Sequence, residues 1–351
     1  MMVKTLLLAT FLFTCSVVHS QPSKTAFFTK LGKEINTAIP SIGSFIVCSN
    51  DSIQYEGYFH QATRATVFNV KSVTKTMISA LAGIAKQKDL LPDLDTPVLS
   101  ILKEYATPRS QGDVWFSSDM AYYDSVRATI TIKHLLTMQA GFDWDDFGAV
   151  AAVLILSSDP VRLSLDIRME NDPGTRFNYN TGVSIIFGAL LARCVKADLK
   201  SFAEENLFKT AGMSLKGWST DPMGRYIGGS EMEFTATDLL KFGQLYLHQG
   251  KAGDRQVVPS DWVKESTSEQ AVLNSWPVLP GANGYGYYWW RRKTNGHQAY
   301  VASGYGGQLV CVVPDLKLVI ATTCFLNDRN RGREEIKRLH VFIDKVTNYL
   351  K

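Results

Sequence analysis

Val70-Lys71-Ser72-Val73-Thr74-Lys75-Thr76-Met77-Ile78-Ser79-Ala80-Leu81-Ala82-Gly83-Ile84-Ala85 is the stretch on which the reading of this chain turns. Met77, Ile78, Ala80, Leu81, Ala82, Ile84 and Ala85 leave almost no polar face at a period of 3.6 residues, so the segment predicts a helix buried around its circumference. Ser72 stands where that helix would open. Residues three apart lie on neighbouring turns of one helical face, which would bring the Lys75 amine beside the Ser72 hydroxyl. The opening turn also presents unpaired backbone N–H groups and partial positive charge, both useful where negative charge develops on a substrate oxygen.

A serine hydroxyl is a poor nucleophile until a nearby base takes its proton. Lys75 can serve only when neutral, which burial and a neighbouring positive charge would favour by lowering its pKa. Ser-x-x-Lys alone is weak evidence, since roughly one or two matches arise by chance in a chain this long. A second copy, Ser100-Ile101-Leu102-Lys103, follows Pro97 and lacks the apolar helix. The competing explanation for the first is an N-cap serine beside a solvated lysine. Gly-x-Ser-x-Gly, the nucleophile elbow of a Ser-His-Asp hydrolase, is absent.

Two further segments carry candidate chemistry. Pro173-Gly174-Thr175-Arg176-Phe177-Asn178-Tyr179-Asn180-Thr181-Gly182 precedes Val183, Ile186, Leu190 and Leu191 at helical spacing. Tyr179 therefore sits on a loop entering a helix, where a phenol can exchange protons with a serine and a leaving group, or can simply pack beneath a turn. Ala302-Ser303-Gly304-Tyr305-Gly306-Gly307-Gln308 joins two strand-like runs. Its glycines allow backbone to approach a ligand closely, and a strand-edge N–H there could join the Ser72 N–H in an oxyanion hole. Ser303, Gly304 and Tyr305 are accordingly the candidate substrate-binding residues, with a plain glycine-rich turn as the alternative.

Outward from these segments, Thr25 to Ala38 reads as an amphipathic helix, and Ser44–Cys48 with Ile53–Phe59 as a hairpin across Ser49-Asn50-Asp51. Helical periodicity dominates from about Thr76 to Ser268, including Thr235 to His248 with Thr235 and Asp238 as a capping pair. Strand texture returns in Tyr285–Arg291, Gln298–Ser303, Gln308–Val313 and Lys317–Phe325, before a last helix from Glu334 to Leu350. The prediction is an α/β fold: one antiparallel sheet built from N- and C-terminal segments, flanked by the terminal helices, with a largely helical insert at about 76–270. Residues 21–351 would form this unit, with the cleft at the junction.

Residues 1–20 differ from the rest. Lys4, the apolar run Leu6–Val18 and Val18-His19-Ser20 before Gln21 read as a secretory signal peptide, which implies a periplasmic or secreted protein without stable membrane insertion after cleavage. A membrane anchor and lipid attachment at Cys15 are the alternatives. Cys48, Cys194, Cys311 and Cys324 would remain, either as up to two disulfides or as buried thiols. No Cys/His cluster has metal-ligand spacing, and His60, His134, His248, His297 and His340 are scattered singly. A net charge of +4 and 45% hydrophobic residues describe an ordinary globular chain; with the exported address they argue against nucleic acid as a partner, although Tyr285, Tyr287, Tyr288, Trp289 and Trp290 precede Arg291-Arg292-Lys293. That aromatic run reads either as an apolar wall for an acyl group or as a plain aromatic strand.

The ordered set resembles the superfamily of class C β-lactamases and penicillin-binding proteins, in particular its esterase and 6-aminohexanoate-dimer hydrolase-like branch. The residues that carry the resemblance are Val70 to Lys75, Ile130-Thr131-Ile132-Lys133-His134-Leu135-Leu136-Thr137-Met138-Gln139-Ala140-Gly141, Pro173-Gly174-Thr175 leading to Tyr179, and Gly304 to Gln308. The resemblance implies an acyl-enzyme on Ser72, proton handling by Lys75 and Tyr179, a small-molecule ester or amide substrate, and no metal or organic cofactor. Thr181 stands where the family's tyrosine motif often has asparagine. Ala302-Ser303-Gly304 replaces the Lys-Thr-Gly or His-x-Gly of lactam-recognising members, so the cation that would hold a β-lactam or peptide carboxylate is missing. These departures favour a carboxylesterase or an amidase of linear substrates over a β-lactamase or D,D-peptidase. A non-catalytic sensor that keeps the pocket is the reading from another class.

Overall fold

The computed structural model of the chain describes residues 22–106, 125–273, 279–326 and 332–351. The proposed signal peptide, Cys15 included, lies outside the described residues. β1 (Ile42–Ser49) and β2 (Ser52–Tyr58) form the expected hairpin. Asn50 and Asp51 close it with φ of 49° and 57°, a left-handed pair that a two-residue turn requires and that these residue types tolerate. β3 (Val67–Asn69), β4 (Gly217–Trp218) and β5 (Met232–Thr235) make a small sheet in the order β3-β5-β4, and β6 (Lys251–Ala252) pairs with β7 (Arg255–Gln256). β8 (Ala282–Tyr285), β9 (Trp290–Thr294), β10 (His297–Gly304), β11 (Gln308–Val313) and β12 (Leu318–Cys324) complete the main sheet.

The main sheet runs β2-β1-β12-β11-β10-β9-β8, antiparallel at every pairing. Within it the two ends of the chain join: Ile46 lies opposite Ala321 and Val47 opposite Ile320. Every residue of β1, β11 and β12 is buried, the pattern of strands covered on both faces. One cover is the helix Ala236–Leu247, which lies on β1, β11 and β12, together with the helix Val73–Gln87 against β10 and β11. The terminal helices Lys24–Ala38 and Gly332–Leu350 supply the other; Phe27 stacks on Tyr349 at 3.9 Å, and Lys345 pairs with Glu34 at 2.7 Å. The mixed α/β architecture anticipated from the sequence is therefore the observed one.

Local chemistry explains the element ends. Thr235 and Asp238 form the anticipated capping box, in which the threonine hydroxyl accepts from the Asp238 N–H and the carboxylate accepts from the Thr235 N–H. Asn295 and Gly296, at φ of 49° and 90°, turn β9 into β10 as a tight hairpin. One expectation needs correction. Tyr285–Arg291 is two strands with a turn at 286–289, because Gly286 packs against the Ser266 carbonyl and Tyr288 is left-handed. The region between β3 and β8 also contains β4 to β7, strands of two to four residues that are too short to show a period of two. The described cysteines Cys48, Cys194, Cys311 and Cys324 are buried free thiols.

Gly243 lets the helix Ala236–Leu247 settle on the sheet, since a Cβ there would lie 2.4 Å from Val319 Cγ1 and 2.8 Å from Val310 Cγ1. Gly243→Val should lift that helix and destabilise the fold by about 1–3 kcal/mol, read as a lower urea midpoint. An unchanged midpoint would mean that the contact does not limit the packing.

Candidate active site

Ser72 begins the helix Val73–Gln87 but does not cap it: its side chain makes no capping hydrogen bond. The hydroxyl instead accepts from Lys75 Nζ at 2.9 Å. The backbone leading in is tightly wound. Lys71 is left-handed (φ 50°), its N–H donates to Asn69 Oδ1, and its ammonium pairs with Glu231 at 3.1 Å. The Val73 and Thr74 N–H groups close back on the carbonyls of Val70 and Lys71. A non-glycine residue at φ near 50° is uncommon and needs support of this kind.

Lys75 is only 1% exposed. Its three ammonium protons are directed at Ser72 Oγ, the Gly229 carbonyl (2.8 Å) and Thr181 Oγ1 (3.1 Å). The solvated-lysine alternative does not describe this residue. Burial pulls its pKa down to about 8, while the nearby Asp146 carboxylate pushes the other way. The positive neighbour expected from the sequence is not what does this; desolvation is.

Tyr179 reaches the same point from the loop before the helix Thr181–Val195. Its phenol interacts with the Ser72 side chain, and its ring lies 5.2 Å from Lys75 Nζ. Dense packing around the ring raises its pKa well above the ordinary phenol value; the Asp146 charge adds to this, and the interaction with Ser72 opposes it. Trp290 stacks on the ring at 5.3 Å and Tyr285 meets it edge-on at 6.4 Å. Two members of the aromatic run thus hold Tyr179, while Trp289 stacks on Phe242 in the core.

The Ile130–Gly141 segment seats that loop. Its short helix Ile132–Leu136 is capped by Thr131 and His134, Met138 is left-handed (φ 58°), and the Met138 and Gln139 carbonyls accept from the Asn178 and Gly174 N–H groups at 2.8 Å. Gly141 is at φ 91°, where a Cβ would meet the Asn171 carbonyl oxygen at 2.2 Å.

Ser303 and Gly304 end β10, directly beside this site. A Cβ on Gly304 would lie 2.4 Å from the Val70 carbonyl oxygen, so the strand passes the Ser72 turn at a distance only glycine permits. Tyr305 follows, half-buried, with its ring 6.4 Å from that of Phe147 and against Gly332. Ser100, by contrast, is exposed and donates to the Pro97 carbonyl.

The family model for β-lactamases matches residues 34–344. The chain belongs to the β-lactamase family. Solved structures share its fold at low identity. A penicillin-binding protein homologue from Pyrococcus abyssi, described as octameric, has 17% identity and a TM-score of 0.66 over 91% of this chain and 76% of its own. EstCE1, a hydrolase with promiscuous acyltransferase activity, has 17% identity and a TM-score of 0.71 over 91% and 98%. A Bacillus anthracis protein provisionally assigned as a 6-aminohexanoate-dimer hydrolase has 18% identity and a TM-score of 0.70 over 90% and 81%. No curated protein matches the chain.

Within this β-lactamase-family site the residue that the sequence did not reveal is Asp146. Its Oδ1 accepts from the Thr181 N–H at 2.7 Å and from Trp144 Nε1 at 2.6 Å, and its Oδ2 accepts from Thr181 Oγ1 at 2.8 Å. Thr181, which departs from the family's tyrosine motif, thereby turns its oxygen lone pair to Lys75. Asp146 is 35 positions from Thr181 in a loop without repeat or motif, so no local signal marks it. Among the described residues no group of His, Cys, Asp and Glu could hold a metal ion, and no helix is long and apolar enough to cross a membrane.

Proposed function

We propose that this protein is a serine hydrolase that cleaves ester or amide bonds of small substrates through an acyl-enzyme on Ser72. The observation that carries the reading is the 2.9 Å bond between Ser72 Oγ and a buried lysine whose pKa is drawn to about 8. A buried lysine that loses a proton easily is a base, and a buried tyrosine that holds its proton is an acid; opposite shifts in one site assign opposite roles. When Lys75 is neutral, two N–H bonds remain to Thr181 Oγ1 and the Gly229 carbonyl, and the lone pair takes the third direction, toward Ser72.

The reaction then follows from these positions. Ser72 Oγ attacks the substrate carbonyl as its proton passes to Lys75. The Ser72 N–H and a strand-edge N–H in the 303–305 segment receive the developing oxyanion. Tyr179 donates its proton to the departing alcohol or amine and regains one from Lys75, leaving an ester on Ser72. Water attacks that ester, its proton is taken by the same pair, and Ser72 recovers its hydroxyl as the acid leaves. Ala302-Ser303-Gly304 offers no cation for a lactam or peptide carboxylate, which supports esters and linear amides as substrates. Export through residues 1–20, to the periplasm or the medium, belongs to the same proposal.

Ser72→Ala should abolish labelling by a fluorophosphonate probe and lower hydrolysis of short p-nitrophenyl esters by at least about 1,000-fold. Retained turnover in that variant defeats the assignment, and a stable adduct without release in the wild type would favour the sensor. Tyr179→Phe should slow turnover by about 100- to 10,000-fold without loss of fold; near-normal rates would take Tyr179 out of the mechanism.

Because the active base is the neutral amine, kcat/KM should climb as pH rises through about 8 and level off above it. Asp146→Asn removes the charge that favours the ammonium, so the rising limb should move to lower pH. A limb that stays in place would show that Asp146 does not act on Lys75 electrostatically. Expressed with its first 20 residues in an exporting host, the protein should appear outside the cytoplasm with Gln21 at its N-terminus by mass spectrometry, and an intact Met1 would reject that part of the proposal.

A further inference from the structure

A cavity of about 720 Å³ adjoins the site without including Ser72 in its walls. It touches the hydrogen-bond network of Lys75 at Asp146 and Thr181, so its polar end lies about two hydrogen-bond lengths from the Ser72 oxygen by way of Lys75 Nζ. Beyond that end most of the wall is apolar, as at Leu154, Val161, Ile185, Ala189 and Ile227, and the hydroxyl side chains of Thr220, Tyr226 and Ser230 also border it. The charged side chains that border it are engaged with one another or with neighbours. Asp221 and Arg225 pair at 2.7 Å, Arg225 also holds Asp159, Glu231 holds Lys71, and Asp146 accepts from Thr181 and Trp144. A cavity whose charges are paired and whose wall is mostly apolar takes a mainly apolar ligand, with hydroxyls left to meet a polar atom of it.

One wall is the helix Ala149–Leu156, whose sequence Ala-Val-Ala-Ala-Val-Leu-Ile-Leu has no polar residue. A helix apolar all round normally lies inside a protein. Here Ala151 and Leu154 face the cavity while Val153 is exposed and Leu156 is 86% exposed, so an apolar chain meets apolar surface both outside and within. At eight residues this wall is about 12 Å long.

We infer that this cavity holds the apolar acyl chain of the substrate, and that the preferred substrates are esters or amides of medium-length unbranched fatty acids. The inference rests on Ser72 as the nucleophile. It assigns the acyl side because Tyr179, which would protonate the leaving group, is held by Trp290 and Tyr285, and none of these three borders the cavity. The departing group lies toward them, and the acyl part is what remains to face the cavity.

The test is kcat/KM for p-nitrophenyl acetate, butanoate and octanoate, and for octyl acetate. Wild-type kcat/KM should rise at least tenfold from acetate to octanoate, at roughly two- to fourfold per methylene until the cavity is full. Ala151→Trp and, on another wall, Ala189→Phe should each lower the octanoate-to-acetate ratio at least tenfold. A flat or falling series, an unchanged ratio in either folded variant, or a preference for octyl acetate overturns the inference. Ser72→Ala separates this from failure of the hydrolase reading: it should bind 11-(dansylamino)undecanoic acid saturably, octanoate should displace the probe, and Ala151→Trp should weaken binding at least tenfold. Probe binding without ester hydrolysis in the wild type would remove the catalytic reading and keep the cavity, whereas no saturable binding removes the cavity's role.

Discussion

The burial of one ammonium group organises this molecule. Lys75 cannot be placed in a nearly dry interior unless each of its N–H bonds finds an acceptor, because an unpaired buried charge costs several kcal/mol. The acceptors come from three separate parts of the chain: Ser72 on its own helix, Thr181 at the start of another, and the carbonyl of Gly229 before β5. Satisfying one lysine therefore fixes the relative positions of the helical region and the edge of the small sheet.

That requirement and the chemistry have the same source. Ser72 is free to meet Lys75 because it gives up its capping bond, and the turn that presents it is held by Lys71 in a left-handed conformation with Asn69 and Glu231 around it. Tyr179 is fixed by stacking on Trp290 rather than by a partner that would take its proton. The low pKa of the lysine and the high pKa of the tyrosine both arise from the same exclusion of water, which acts against a cation in one case and an anion in the other. Asp146 moderates the first and reinforces the second, through space and through Thr181.

The main sheet shows how chain ends far apart in sequence become neighbours. β1 and β12 are each wholly buried beneath helices on both faces, so the edge each turns to the other can satisfy its backbone groups only by their pairing. This buried seam was readable in advance because both ends have strand texture and the middle has helical texture. The turn that divides Tyr285–Arg291 was not readable, since it is imposed by the approach of Gly286 to the Ser266 carbonyl. Nor were the short strands β4 to β7, which have too few residues for alternation to register.

The sequence by itself determined the apolar helix that follows Ser72, the loop that carries Tyr179, the glycine-rich end of β10 and the mixed α/β architecture. Each is written in local periodicity or turn chemistry within a few residues. Only the tertiary structure decided that Lys75 is buried rather than solvated, that Asp146 stands behind Thr181 beside a mostly apolar cavity, and that Trp290 and Tyr285 clasp Tyr179. Such facts depend on which surfaces exclude water from which groups, and burial is a property of packed segments distant in the chain, not of any one stretch of it.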